Sequence, residues 1–505
     1  MESQIESVKA LDAYRLRQVK HIPELNSDGM ILEHKKTGAN IFLMSNEDDN
    51  KVFCIGFRTP PADSTGVPHI IEHTVLCGSD KFPVKDPFVE LVKGSLNTFL
   101  NAMTYPDKTV YPIASCNDTD FQNLMDVYMD AVFHPNIGKE KKIFMQEGWH
   151  YELEEPEGEL TYNGVVYNEM KGAFSSPDDV LERLILNSLF PDTSYANESG
   201  GDPDVIPNLT YEQFLDFHRK YYHPVNSYIY LYGNMDMVER LNWMDEHYLS
   251  HFEKIDVEAN ISLQEPFAAP REAVKPYSIT ESEPLEHNTY LTCSMTAGDV
   301  LNREEYIAFQ ILDYALCSSQ GAPLKQALLD AGIGEDIYSD YDNGTRQPYF
   351  SIVAKNADAS RKEEFLRIID ETLEKLVAEG VTDTTATVNP IMFVASTAFI
   401  LGLGLFLIRI YPYIIRLLAR IGRRVWSPAQ YVSLTNIGRS STGRERFLML
   451  FLVLTVSLGV FFANTARALN RNAEESVAYG VGCDAVLTEQ WYSSKIESAQ
   501  QTTPQ

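Results

Sequence analysis

Two histidines one helical turn apart flank a glutamate in the run His69-Ile-Ile-Glu72-His73. On a helix, residues four apart share a face, so both imidazoles project the same way. Two neutral imidazoles at that spacing can grip one zinc ion, with Glu72 beside them as a proton acceptor. The order H-x-x-E-H is the inverse of the commoner H-E-x-x-H zinc motif. A catalytic zinc takes three protein ligands and keeps one position open for water. Glu147, His150 and Glu169, all C-terminal to the motif, are candidates for the third. His150 lies between Trp149 and Tyr151, a setting that suits a packed aromatic cluster equally well. Glu169 is an isolated acid in the neutral run VVYNEMKGAF, where an acid also suits a helix start. By chemistry alone all three stay open.

Both strands and helices are needed to hold such groups together. Residues 30–58 alternate apolar and polar with turns at 37–38 and 47–50, the pattern of a strand pair or meander. Pro68 then opens the helix that carries the motif. A helix is expected at about 88–100, a strand within 101–115, and helices at about 118–134, 138–147, 178–190, 211–221 and 236–253. Residues 227–235 form an apolar strand ending near Gly233. A Pro- and acid-rich linker, 256–276, precedes a second unit with a strand in NTYLTCSMTA, helices at 304–317 and 323–331, a strand in YFSIVAK and a long helix at 359–378. Short turns outnumber any steady strand–helix–strand rhythm, so the class is α+β. The expected domains are 1–255, the linker 256–276, an incomplete second αβ domain 277–383, and a membrane segment 384–505.

The chain has 505 residues and a formal net charge of −29, which argues against nucleic-acid binding and suits neutral or cationic substrates. Six cysteines without a C-x-x-C pair read as thiols in a reducing compartment. The opening MESQIESVKALDAYRLRQVK has no apolar stretch, so a cytoplasmic location is expected for the first part. The charge is unevenly spread: from residue 384 there are 11 Lys and Arg against 6 Asp and Glu, whereas the preceding residues hold 31 against 65. The basic residues change type as well, from 20 Lys and 11 Arg before residue 384 to one Lys and 10 Arg after it. Residues 390–408 and 447–463 carry no charge, each approaching the roughly 20 apolar residues that cross a bilayer. Transmembrane helices are therefore expected at about 390–410 and 447–466; the Arg-rich loop between them reads as cytoplasmic, which would put the first part on the opposite side and conflicts with the location read from its opening. That places the C-terminal part at a membrane.

Three runs, GVPHIIEHTVLCGS, FLNAMTYPDKTVYPIAS and GVVYNEMKGAFSSPDDV, resemble the zinc peptidases of the pitrilysin/insulinase family. Among its branches the likeness is to the presequence proteases, and it runs from about residue 10 to 380. The resemblance implies His69, His73 and Glu169 as zinc ligands and Glu72 as the base that activates water. It also implies that Asn101 and Ala102, with the nearby strand, hold a peptide substrate as an added strand. Family members close two halves like a clamshell, and the second half supplies Arg and Tyr residues that bind the substrate carbonyl. No residue here takes those roles, so a partner chain is expected to supply that half. YVSLTNIGRSSTGRERFLMLFLVLTVSLGVFFANTARALNRNAEESVAYG in turn resembles an FtsX-like permease of an ABC transporter. The chain thus reads as two unrelated pieces joined near residues 381–388. Its expected function is a zinc endopeptidase for short unfolded peptides, impaired by the absent half. The alternative is a membrane-anchored non-catalytic module or permease component in a fused chain.

Overall fold

The computed structural model describes residues 2–85, 87–279, 286–319 and 321–379, together with scattered positions between 413 and 432. The chain divides into the units Met1–Val381 and Thr382–Gln505, and the fold below is that of the first. The two stretches expected to span a membrane and the permease-like run lie essentially outside the described residues. Among the described residues no helix is long and apolar enough to cross a membrane.

An eight-stranded sheet forms the larger lobe. Its order is Tyr14–Ile22, Ser27–His34, Asn40–Ser45, Ser227–Gly233, Lys51–Arg58, Lys108–Ser115 and Asn97–Leu100, with Met103–Thr104 also pairing with Lys108–Ser115. Ser227–Gly233 runs parallel to Asn40–Ser45 and antiparallel to Lys51–Arg58. A strand from far along the chain thus wedges between two sequence neighbours and closes the lobe. Alternation explains the core face: Met30, Leu32, Ile41, Leu43, Phe53, Ile55 and Phe57 are at most 1% exposed. Helix Asp118–Phe133 covers this face, begun by Asn117, whose side chain accepts from the Asp120 amide. Its Phe121, Leu124, Met125 and Tyr128 are fully buried.

The smaller lobe is an antiparallel sheet, Thr289–Thr296, Tyr349–Ala357 and Asp336–Asp342, with helices Arg303–Asp313, Pro323–Asp330 and Lys362–Glu379. It has its own core of Leu324, Leu328, Ile337, Ile352 and Phe365. Leu181, Ile185, Phe190 and Tyr195 pack against Tyr349 and Val353 and join the lobes. Between His251 and Thr289 the described residues form no helix or strand.

Several boundaries differ from expectation. The helix expected at 88–100 stops at Gly94, and Asn97–Leu100 is instead the last strand of the sheet. Gly94 and Ser95 end the helix cheaply, and pairing with Lys108–Ser115 overrides the helical pattern beyond them. The hairpin His150–Glu152 with Thr161–Asn163 and the strand Asp336–Asp342 were not expected. The mixed α+β architecture itself is as the sequence implies.

Candidate active site

Helix Val67–Val75 carries the motif. Pro68 sits in its first turn, where a missing N–H costs nothing. Ile70, Ile71 and Val75 are fully buried, and each anchors the helix by about 1.5–3 kcal/mol. The opposite side presents His69 and His73, whose ring centroids are 4.9 Å apart. The helix packs against Lys141–Glu147, Tyr211–Tyr221 and Met103–Thr104.

Glu169 comes from helix Val165–Ala173, which packs on Lys141–Glu147. It is a mid-helix residue rather than a helix-start acid. His69 Nε2 lies 3.8 Å from Glu169 Oε1, and His73 Nε2 lies 3.9 Å from Glu169 Oε2. One donor atom from each of the three falls within 4.8 Å of the others, the one such His/Cys/Asp/Glu group among the described residues. Both rings are held from behind. Nδ1 of His69 faces the Gly200 carbonyl at 3.1 Å, and Nδ1 of His73 faces the Glu147 carboxylate at 3.2 Å. Both partners are acceptors, so each Nδ1 carries the proton and each Nε2 turns a lone pair toward Glu169.

Burial pushes the His69 imidazole below its ordinary value, and neighbouring His73 adds to this. Glu72, Glu169 and the Gly200 bond act the other way. The net direction favours the neutral ring, the form that binds metal. Two imidazoles whose Nε2 atoms face a carboxylate are a donor set that fits zinc, which takes N and O ligands at about 2.0–2.2 Å. Modest closure of the 3.8 and 3.9 Å separations would bring all three onto one ion.

Glu72 is 8% exposed. Its charge opposes the lowering of the His69 value and pushes the Tyr111 and Tyr222 phenols up. It is carried on the same helix as the two histidines. Of the other two ligand candidates, Glu147 holds the rear of His73 rather than joining the front, and His150 turns Nδ1 to the Met145 carbonyl at 2.7 Å. Asn101 and Ala102 form the link between Asn97–Leu100 and Met103–Thr104. The Asn101 amide donates to Pro112 O at 3.1 Å, and its side-chain oxygen accepts from the Ala102 amide at 3.0 Å. Contact of Met103–Thr104 with the motif helix brings this link close to that helix. Sequence reasoning missed the loop 197–202 that supplies the Gly200 carbonyl. A backbone acceptor leaves no residue-type signal.

Residues 52–198 match the family described as Insulinase (Peptidase family M16), and residues 208–385 match the Peptidase M16 inactive domain. The chain is 54% identical over 382 residues to Protein HypA of Clostridium perfringens, covering 75% of this chain and 39% of that protein. It is 45% identical over 378 residues to Presequence protease 1, chloroplastic/mitochondrial, of Arabidopsis thaliana, covering 74% and 35%. Among solved structures, pitrilysin aligns with a TM-score of 0.52 at 16% identity, over 73% of this chain and 38% of that one. A peptidase M16 inactive domain from Pseudomonas fluorescens aligns at 0.51 and 15% identity, over 70% and 80%. The chain thus spans under two fifths of the length of these curated relatives. From residue 52 to residue 385 it belongs to the insulinase/pitrilysin peptidases, family M16.

Proposed function

We propose that this part of the chain is a zinc-dependent endopeptidase acting on short, unfolded peptides. The observation that carries the reading is the meeting of His69, His73 and Glu169 across two helices, with Glu72 on the same helix as both imidazoles. Zinc, when bound by those three, supplies a Lewis acid that polarises water and the scissile carbonyl. Glu72 takes the proton of the attacking water and delivers it to the leaving amine. Its buried position keeps that proton from bulk solvent. The Gly200 carbonyl and Glu147 hold the two imidazoles in the tautomer that leaves Nε2 free.

Substrate is read through its backbone. Asn97–Leu100 ends the sheet order, so its outer edge can accept an extended peptide as a further strand. Asn101 and Ala102 continue that edge toward the motif helix. Such pairing makes few demands on side chains, which suits unfolded peptides of varied sequence.

The test is cleavage of a fluorogenic unstructured peptide by the full 505-residue chain, parent against Glu72→Gln. Loss of a general base lowers turnover by about 10²–10⁴-fold. Cleavage abolished by a chelator and by Glu72→Gln is expected. Cleavage by the variant at the parent rate would refute the role of Glu72.

A further inference from the structure

Arg183, on helix Pro177–Leu189, and Glu198, in loop 197–202, form a largely buried ion pair with Nε 2.9 Å from Oε2. The second Glu198 oxygen accepts from the Gly200 amide at 3.1 Å, and the Gly200 carbonyl in turn holds His69 Nδ1 at 3.1 Å. On its other side the Arg183 guanidinium lies 4.5 Å from the centre of the Phe174 ring. Phe174 caps the C-terminus of Val165–Ala173, the helix of Glu169. Arg183 Nη1 is buried without a hydrogen-bond partner, so that part of the cation relies on its surroundings, including the ring face.

The loop is also fastened to the approach of the motif helix. The Glu198 amide donates to Ser64 Oγ at 3.1 Å, and the Asp202 amide to Ser64 O at 2.9 Å. Gly200 lies against Met170, the neighbour of Glu169: a Cβ there would come within 2.9 Å of Met170 Cε and 3.1 Å of Glu198 Oε1. One side chain, Arg183, therefore touches both the loop that steers His69 and the helix that bears Glu169.

We propose that Arg183 and Glu198 are positioning residues, a clamp that sets His69 against Glu169 and so fixes the spacing of the metal site. The proposal rests on the zinc reading of that site. The guanidinium fork allows Nε to pair with a carboxylate while its face stacks on a ring, which an ammonium cannot reproduce. Neither residue touches the ligand atoms, so their effect must pass through Gly200 and Phe174.

The experiment uses the full chain as parent, Arg183→Lys, Arg183→Ala, Glu198→Gln and Glu198→Ala. Zinc affinity is measured by competition with a chromophoric chelator, and the visible absorption of the Co2+-substituted protein reports ligand geometry. The alanine variants should bind zinc about 10–100-fold more weakly, the usual effect of removing an outer-shell partner, and shift the Co2+ bands. Glu198→Gln keeps an acceptor for the Gly200 amide and should recover much of the affinity. Arg183→Lys should recover less. If an alanine variant fails to fold, the Gln and Lys variants carry the comparison. A purely structural pair would lower the unfolding midpoint but leave affinity and Co2+ spectrum of the folded protein unchanged, and that result overturns the clamp. A parent that binds no zinc overturns the zinc reading and the clamp with it.

Discussion

Gly66 precedes the motif helix with φ at +68°, and it touches the loop that holds His69. Replacing it by alanine should damage both fold and metal site. A left-handed conformation costs a residue with a Cβ about 1–2 kcal/mol. The new methyl would also lie 2.6 Å from Gly200 O and Gly201 Cα, both backbone atoms that cannot swing aside. Relieving such contacts costs about 1–3 kcal/mol, so the total loss is about 2–5 kcal/mol. The atom pushed away is the carbonyl that receives His69 Nδ1 at 3.1 Å. A shift of about 0.5 Å takes that bond past the roughly 3.5 Å at which it ceases to count, and zinc affinity should fall about 10–100-fold. Urea unfolding of the metal-free protein measures the first effect, and chelator competition the second. Gly172→Ala is the control: nothing lies within 4 Å of its Cβ position, and in a helix the change should gain up to about 1 kcal/mol. Gly66→Ala with stability within 0.5 kcal/mol of the parent, by the usual range of neutral substitutions, and unchanged zinc affinity would refute this reasoning.

Glu147→Gln retains shape but removes the charge behind His73, and should weaken zinc binding about 10–100-fold while the fold survives; equal affinity would mean that Glu147 does not steer the ring. His218 is partly buried, donates from Nε2 to Val132 O at 2.9 Å, and is pushed down to about 4 by desolvation of its ring. The unfolded chain, at about 6.5, then takes up a proton that the folded chain refuses. Stability contributed by neutral His218 is therefore complete above pH 6.5 and falls by up to about 3 kcal/mol as pH drops toward 4. Urea titrations at pH 7.5, 6 and 5 should show a shallower loss in His218→Gln than in the parent, and parallel losses would assign the acid sensitivity elsewhere.

Much of the site could be read in advance because its signals are local. His69 and His73 sit on one short helix whose start is marked by Pro68 and whose buried side is marked by Ile70, Ile71 and Val75. Ser227–Gly233 was legible as a strand from its apolar run. Its partner and direction were not, since wedging between Asn40–Ser45 and Lys51–Arg58 is decided by pairing across long separations. Asn97–Leu100 reads as the tail of a helix until Lys108–Ser115 is there to pair with it. In Asp336–Asp342 the acids disguise a strand whose Ile337, Ser339 and Tyr341 face inward. Glu147 could not be told from a ligand by residue type. Only its side of the His73 ring separates the two roles.

The central claim is that His69, His73 and Glu169 together hold one zinc ion while Glu72 does not. Metal analysis of the purified full chain after removal of loosely bound ions decides it. Stoichiometric zinc in the parent and in Glu72→Gln, with strong loss in His69→Ala and Glu169→Ala, is the predicted result. Equal zinc in all four proteins, or none in the parent, would contradict it.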